Sequence, residues 1–157
     1  MQRPDDMLTL QVKSPARLLG EQLDVLAFHL PGIWDAADES VHQARIATRR
    51  IRELLPFSRR EIDSDVKHRV RVLGRALGRH RDWDVMIAGL NRVELAYPAG
   101  AGVAATARVA ARQRRRESAQ RLIESLERLD LDELLSSLRE ATHERRLPWS
   151  RPWAGHV

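Results

Sequence analysis

The sequence predicts an all-α protein, an antiparallel bundle of four to five helices. Apolar residues recur at the three-to-four-residue spacing of amphipathic helices in five separate segments. No run alternates apolar and polar residues as a half-buried strand requires. Breaks at Pro31-Gly32, at Pro56, over Tyr97 to Gly102 and at Pro148 separate the segments, and connections this short make neighbouring helices antiparallel.

The first helix is announced by Ser14-Pro15, an N-cap followed by a proline at the first helical position. Leu18, Leu19, Leu23, Leu26, Ala27 and Leu30 carry its core face, and it is expected to end at Pro31-Gly32 with Trp34 in the connection. Asp38 or Ser40 caps the second helix, which stops at Pro56 or soon after. The third starts near Glu61 and buries Ile62, Val66, Val70, Leu73 and Leu77. Its apolar phase then shifts, since Trp83, Met86, Ile87 and Leu90 do not continue that stripe, and a bend or a change of packing partner is expected over Leu77 to Asp82. After the Tyr97 to Gly102 loop, a fourth helix runs from about Val103 to Leu129. A fifth, from Asp132 to about Arg146, is capped by Asp130 or Asp132 and buries Leu134, Leu135, Leu138 and Ala141. Residues 1–13 read as a flexible N-terminus, 14–147 as the bundle, and 148–157, with Trp149 and Trp153, as an uncommitted tail.

The second helix organises the rest. At about 100° per residue, Val41, Ala44, Thr48, Ile51 and Leu55 fall within an arc of about 80° that faces a core. His42, Arg45, Arg49 and Arg52 share a second arc of the same width, with no carboxylate in it. Arginines so placed repel one another by a few tenths of a kcal/mol per pair. One reading is a solvated basic face; the sharper one is an anion site. The third helix adds Lys67, Arg71 and Arg75 at successive i+4 positions on its flank, near Gly74 and Gly78, where absent side chains allow close approach. On the fourth helix, Arg108, Arg112 and Arg115 occupy the same arc as Leu122 and Leu126, so a core face turns cationic and is expected to line a cavity or channel.

Composition narrows the chemistry. Of 27 basic residues only Lys13 and Lys67 are lysines, and the formal net charge is +5. Guanidinium groups grip phosphate oxygens bidentately, though arginine enrichment also follows from a GC-rich genome. Cysteine is absent, which excludes disulfides and thiolate metal sites. No signal-peptide run or membrane span is visible, and a cytoplasmic protein is expected. The histidines never fall at i, i+3 or i+4 from one another, so no helical metal-ligand pair forms. Asp82 and Asp84, two apart on a helix, point about 160° away from each other. Serine-nucleophile motifs, glycine-rich phosphate loops and dinucleotide fingerprints are missing. The expectation is binding without catalysis, and without a cofactor or metal.

Two segments carry a family resemblance. Val41 to Arg52, V-H-Q-A-R-I-A-T-R-R-I-R, is similar to the opening signature of the conserved histidine α-helical domain, the CHAD family. Leu77 to Val85, L-G-R-H-R-D-W-D-V, resembles that family's second signature, a Leu-Gly pair followed by Arg-Asp and Asp-Val. Their order and spacing on a helical chain make the pair fairly specific, and the similarity runs from about Leu18 to Leu147.

The resemblance implies a helical domain that binds inorganic polyphosphate in a basic cavity, directs proteins to polyphosphate granules and often accompanies CYTH-type triphosphate enzymes. By position it places His42, Arg45, Arg49 and Arg52 on the first signature's cationic face and Arg81 with Asp82 on the second, Asp82 orienting an arginine. Lys67, Arg71, Arg75, Arg108, Arg112 and Arg115 extend the site by face geometry. Full members resemble two similar four-helix bundles, and this chain is expected to be half of that architecture, either a truncated fragment or a unit that pairs with its own copy around a polyanion. His143-Glu-Arg-Arg is too short to open a second bundle. Nucleic acid is the alternative partner, although base-stacking aromatics are missing from these faces, and an accessory role beside a phosphate or triphosphate enzyme is another.

Overall fold

A computed structural model describes residues 13–58 and 60–142. Most of the 1–13 terminus, His143 and the whole 148–157 tail with Trp149 and Trp153 therefore lie outside the described residues. Within them, five α-helices form the expected all-α bundle: α1 (Pro15–Trp34), α2 (Asp38–Leu54), α3 (Ser64–Ala96), α4 (Ala101–Leu129) and α5 (Leu131–Glu140). Short 3-10 turns, Leu55–Phe57 and Pro98–Gly100, follow α2 and precede α4. Helices consecutive from α1 to α4 are neighbours in space, and α5 lies against α1 and α3.

α1 starts as its sequence dictates, with the Ser14 hydroxyl accepting the Arg17 N–H at 3.2 Å. It does not stop at Pro31. The helix continues to Trp34, because Ile33 is completely buried and holds the last turn in the core. A mid-helix proline costs about 3 kcal/mol or more through its lost hydrogen bond and ring clash, so that packing matters. The corner that follows turns on Ala36, at φ 49°.

Neither Asp38 nor Ser40 caps α2. The N-cap is Ala37, which has no side-chain oxygen to offer. Both expected caps are diverted: Asp38 pairs with Arg115, and the Ser40 hydroxyl lies 3.4 Å from His29 Nδ1. Asp38 and Glu39 still place negative charge in the first turn, where the helix dipole favours it. The predicted core stripe is all buried, Val41, Ala44, Thr48, Ile51 and Leu55 together with Ala47. Thr48 satisfies its hydroxyl on the Ala44 carbonyl at 2.7 Å.

α3 begins at Ser64, capped by Asp63, and runs as one helix of 33 residues, without a break over Leu77 to Asp82. Its buried stripe continues past Leu77 with polar side chains, His80 and Asp84. Trp83, Ile87 and Leu90 are only half-buried and Met86 is exposed. What changes is the packing partner. The α1–α2 corner lies level with Asp84, as Arg115 bridges Asp84 to Asp38 and Ala36. Beyond that level α3 and α4 run on together for about 18 Å, from the rise per residue, with Val85, Val93, Leu95, Val103 and Val109 exposed.

The opposite end is fastened by Arg69. Its guanidinium donates to the Leu129 and Asp130 carbonyls and pairs with Glu133 at 3.0 Å, covering the C-terminus of α4 and the start of α5. Asp130, at φ 43°, then caps α5 by accepting the Glu133 N–H at 3.2 Å. α5 ends at Glu140 rather than near Arg146, in a turn through Ala141 and Thr142.

Candidate functional site

The cationic face of α2 lies along α3 and makes one wall of a surface groove. One stretch, of about 460 Å³, is lined by Arg45, Arg49, Arg50, Arg52, Ile46 and Glu53, with Gly74 and Gly78 of α3 beneath. A second, of about 310 Å³, is lined by Arg52, Leu55, Pro56, Lys67 and Arg71. Arg52 lines both, so the two adjoin. The glycines let α2 settle close: a Cβ on Gly78 would stand 3.6 Å from Arg45 Nε, and one on Gly74 3.3 Å from Thr48 Cγ2. Space that looked free in the sequence is thus occupied by stems of α2.

The cations of the groove are exposed. Arg45, Arg52 and Lys67 make no ion pair or side-chain hydrogen bond with the described residues, and Arg71 reaches only the Lys67 carbonyl at 3.3 Å. Arg49 differs. Its Nε pairs with Glu53, one turn along the helix, at 2.9 Å, so a carboxylate does reach this face from about 20° outside the arc. With both partners well exposed, that pair contributes well under 1 kcal/mol and yields readily to a stronger anion. Arg75 extends the α3 flank as an exposed side chain outside the groove lining. His42 is half-buried, its Nδ1 shut from solvent without a hydrogen-bond partner in the described residues.

The α4 arginines are not among the side chains that line this groove. Arg108 pairs with Glu94 and bonds Asn91 at 3.1 Å, tying the two helices together past the corner. Arg112 is exposed on α4. Arg115 is drawn inward, with Nε on Asp84 Oδ1 at 2.5 Å and Nη2 on Asp38 Oδ1 at 2.5 Å and on the Ala36 carbonyl at 3.2 Å. Arg81 joins the same cluster, 3.5 Å from Asp84 Oδ2. Asp84 therefore orients the arginines, not Asp82. Asp82 is exposed, makes no ion pair with the described residues, and borders a separate depression with Arg79, Trp83 and Arg121.

The Asp84 cluster was missed from sequence, although a signal existed: Leu77, His80 and Asp84 continue the helical spacing of Val66, Val70 and Leu73. Asp84 has a side chain only 2% exposed, and His80 is fully buried with neither ring nitrogen hydrogen-bonded. Burial, reinforced by the charge of Arg115, pushes the His80 pKa below its ordinary value; Asp84, Asp38 and the Ala36 carbonyl partly oppose it. For Asp38, burial acts upward but is outweighed by Asp84, Arg115 and Arg81, which hold its carboxyl below the usual range. This cluster locks α3 and α4 to the α1–α2 corner. Its charges are spent internally.

A family model for the CHAD domain matches residues 17–155, nearly the whole chain. The protein belongs to the CHAD domain family. No curated protein and no solved structure matches it. Both signature segments can now be located on this CHAD fold: the first supplies the α2 wall of the groove, and the second places Gly78 under Arg45 and builds the Asp84 cluster. Among the described residues no group of three metal-ligating side chains converges, and no helix is long and apolar enough to cross a membrane.

Proposed function

We propose that this CHAD protein binds inorganic polyphosphate in the α2–α3 groove, as a non-catalytic polyanion receptor. The observation that carries the reading is a pair of adjoining surface grooves with six cations, Arg45, Arg49, Arg50, Arg52, Lys67 and Arg71, against one exposed carboxylate, Glu53. Mutually repelling guanidinium groups on a surface gain most from a ligand of dense, repeating negative charge. Membership of a family associated with polyphosphate supports that ligand over other polyanions. The reading places the protein at polyphosphate granules, with CYTH-type triphosphate enzymes as functional neighbours. It also narrows the site: Arg81, Arg108 and Arg115 serve the scaffold, and Arg45 and Arg52 are the principal ligand contacts.

Competition tests it. Polyphosphate should displace duplex and single-stranded nucleic acid at equal phosphate concentration, and its affinity should fall with salt as counterions are released. Replacing Arg45 and Arg52 together by Ala should weaken binding by about tenfold or more, one to two charge-assisted contacts being removed, with the melting temperature unchanged or slightly raised. Nucleic acid displacing polyphosphate would make the protein a nucleic-acid module. Phosphate release on adding magnesium or manganese would make it a phosphohydrolase.

A further inference from the structure

We infer that the outer face of the α3–α4 hairpin is a docking groove for one amphipathic helix of another protein, apolar along most of its length and acidic at one end. The face stands apart from the α2–α3 groove and from the ligand assigned there. Arg79, Trp83, Met86, Leu90, Val93 and Tyr97 follow one another along α3 at alternating steps of four and three residues, the spacing of a coiled-coil seam. At about 100° per residue, this seam lies roughly 130° round the helix from the buried Leu77, His80 and Asp84. Gly74 and Gly78, on which α2 rests, are on another side again. The bundle leaves the seam unused, with Met86, Val93 and Tyr97 51%, 46% and 68% exposed.

Two depressions lie along this face. One, of about 410 Å³, is bordered by Arg79, Asp82 and Trp83 of α3 and by Ser118, Arg121 and Leu122 of α4. The other, of about 470 Å³ and nearer the tip, is bordered by Met86, Gly89, Leu90, Val93, Ala96 and Tyr97. Arg121 identifies the side of α4 that borders the same face. Val103, Ala107, Ala110 and Arg114 share its arc, and all four are exposed. From Leu95 to Ala107 the tip carries no charged residue.

Spacing and size select a helix as the occupant. A seam at coiled-coil spacing receives the apolar stripe of a second helix. Gly89 and Ala96, with Ala107 and Ala110 across the hairpin, permit the axial approach of about 8–10 Å that packed helices need. The distance along α3 from Arg79 to Tyr97, about 27 Å, accommodates a helix of about 18 residues. Charge selects the partner's sequence. Arg79, Arg92, Arg114 and Arg121 border the face against Asp82 and Glu117, and Glu117 is shared between Arg114 at 3.1 Å and Arg121 at 4.0 Å. Three of these four arginines stand at the end away from the tip. A complementary helix therefore sets acidic residues over Arg79 and Arg121 and apolar ones over Met86 to Tyr97. A second copy of this chain would bring the same cationic excess and fits less well.

The probe is a labelled helical peptide of about three heptads, with leucine at its a and d positions and glutamates at one end; a second peptide has lysine in place of each glutamate. Fluorescence anisotropy follows both on the full chain and on Val93→Gln, Leu95→Gln and Arg45→Ala. Val93 belongs to the seam, whereas Leu95, 83% exposed, points about 160° away from it. Both are surface positions, so their variants should melt as the parent does. We expect the acidic peptide to bind the parent, Val93→Gln to weaken it about tenfold, Leu95→Gln and Arg45→Ala to change it less than twofold, and the lysine peptide to bind at least several-fold more weakly. Absence of binding, or equal losses in the two glutamine variants, would overturn the docking face. Loss of binding in Arg45→Ala would do so too, by placing the peptide in the α2–α3 groove. Sedimentation of the free protein tests the remaining occupant: a monomer supports a separate partner, and a dimer that Val93→Gln dissociates would make a second copy the occupant and overturn the partner named here.

Discussion

His80 shows how a single buried side chain sets a pH response. Its folded-state pKa lies below the ordinary value of 6.5, so near and below that pH the unfolded chain binds the extra proton more readily. Stability is therefore full above pH 6.5 and falls as the pH drops from there toward the folded value; Asp38, held below its ordinary 3.8, adds a second loss only at lower pH. Melting temperatures measured from pH 7.5 to 5 should decline in the parent and decline less in His80→Leu. That variant should also be at least as stable as the parent, because buried ring nitrogens without well-formed hydrogen bonds are removed. A parallel decline in both proteins would show that the ring finds partners and is not the responding group. The neighbouring carboxylates make the complementary test. Asp84→Asn leaves Arg115 and Arg81 without their buried partner and should cost about 3 kcal/mol, whereas Asp82→Asn, on an exposed carboxylate, should stay within about 0.5 kcal/mol. Equal effects would refute the assignment of the orienting role to Asp84. Sequence spacing had correctly separated these two residues by about half a helical turn. It could not say which one faced inward, because that depended on whether the stripe of Val66 to Leu77 ran straight on, and Trp83 and Met86 advertised an apolar phase that solvent, not the core, receives.

At the scale of elements, the joint between α1 and α2 is tight. A Cβ on Gly32 would lie 2.1 Å from Ser40 Oγ and 2.7 Å from its Cβ, in a turn where Ile33 is immobilised by burial. Gly32→Ala should cost about 1–3 kcal/mol through overpacking despite the better helix propensity of alanine. At about 2–4 °C per kcal/mol for a chain of this size, the loss is readable in a thermal melt. Gly78→Ala is the control, since its added methyl meets only ordinary contact at 3.6 Å, and it should be neutral or stabilising. A Gly32→Ala protein that melts with the parent would mean that the two helices can separate at no cost. The same joint explains which boundaries the sequence could give. Ser14-Pro15 was legible because a cap is a local interaction. The end of α1 was not, since Pro31 argues locally for a stop and only the distant packing of Ile33 overrides it. Nor was the cap of α2, where Asp38 has the right chemistry for a local bond but is engaged by Arg115 from α4, 77 residues away in sequence.

The whole molecule is lopsided: a compact bundle at one end, and past the corner a hairpin of α3 and α4 whose apolar side chains Val85, Val93, Leu95, Val103 and Val109 face solvent. Five helices and the α2 groove wall could be read from periodicity, because both depend on faces of single helices. The cationic flank of α3, Lys67 and Arg71, was legible in the same way, whereas Arg108 and Arg115 of α4 could not be placed, because their partners Glu94, Asp84 and Asp38 lie on other helices. With the groove open to solvent on a cationic surface, two copies without ligand repel, and the free protein should be mostly monomeric at low salt. Polyphosphate reverses this by two distinguishable routes. If two copies close around one chain about a two-fold axis, a chain just long enough to fill one groove already gives a dimer, with the exposed hairpins available for contact. If each copy grips its own stretch, such a chain gives a one-to-one complex, and mass grows only when chains exceed the groove, roughly in proportion to their length. Light scattering coupled to size exclusion, run with polyphosphates shorter than, equal to and several times the groove, separates the two. A groove that works alone predicts the second pattern at low protein concentration. Dimers at single-groove length would instead show that a second copy completes the site, and a particle that stays monomeric on chains many grooves long would show that ligand does not assemble the protein at all.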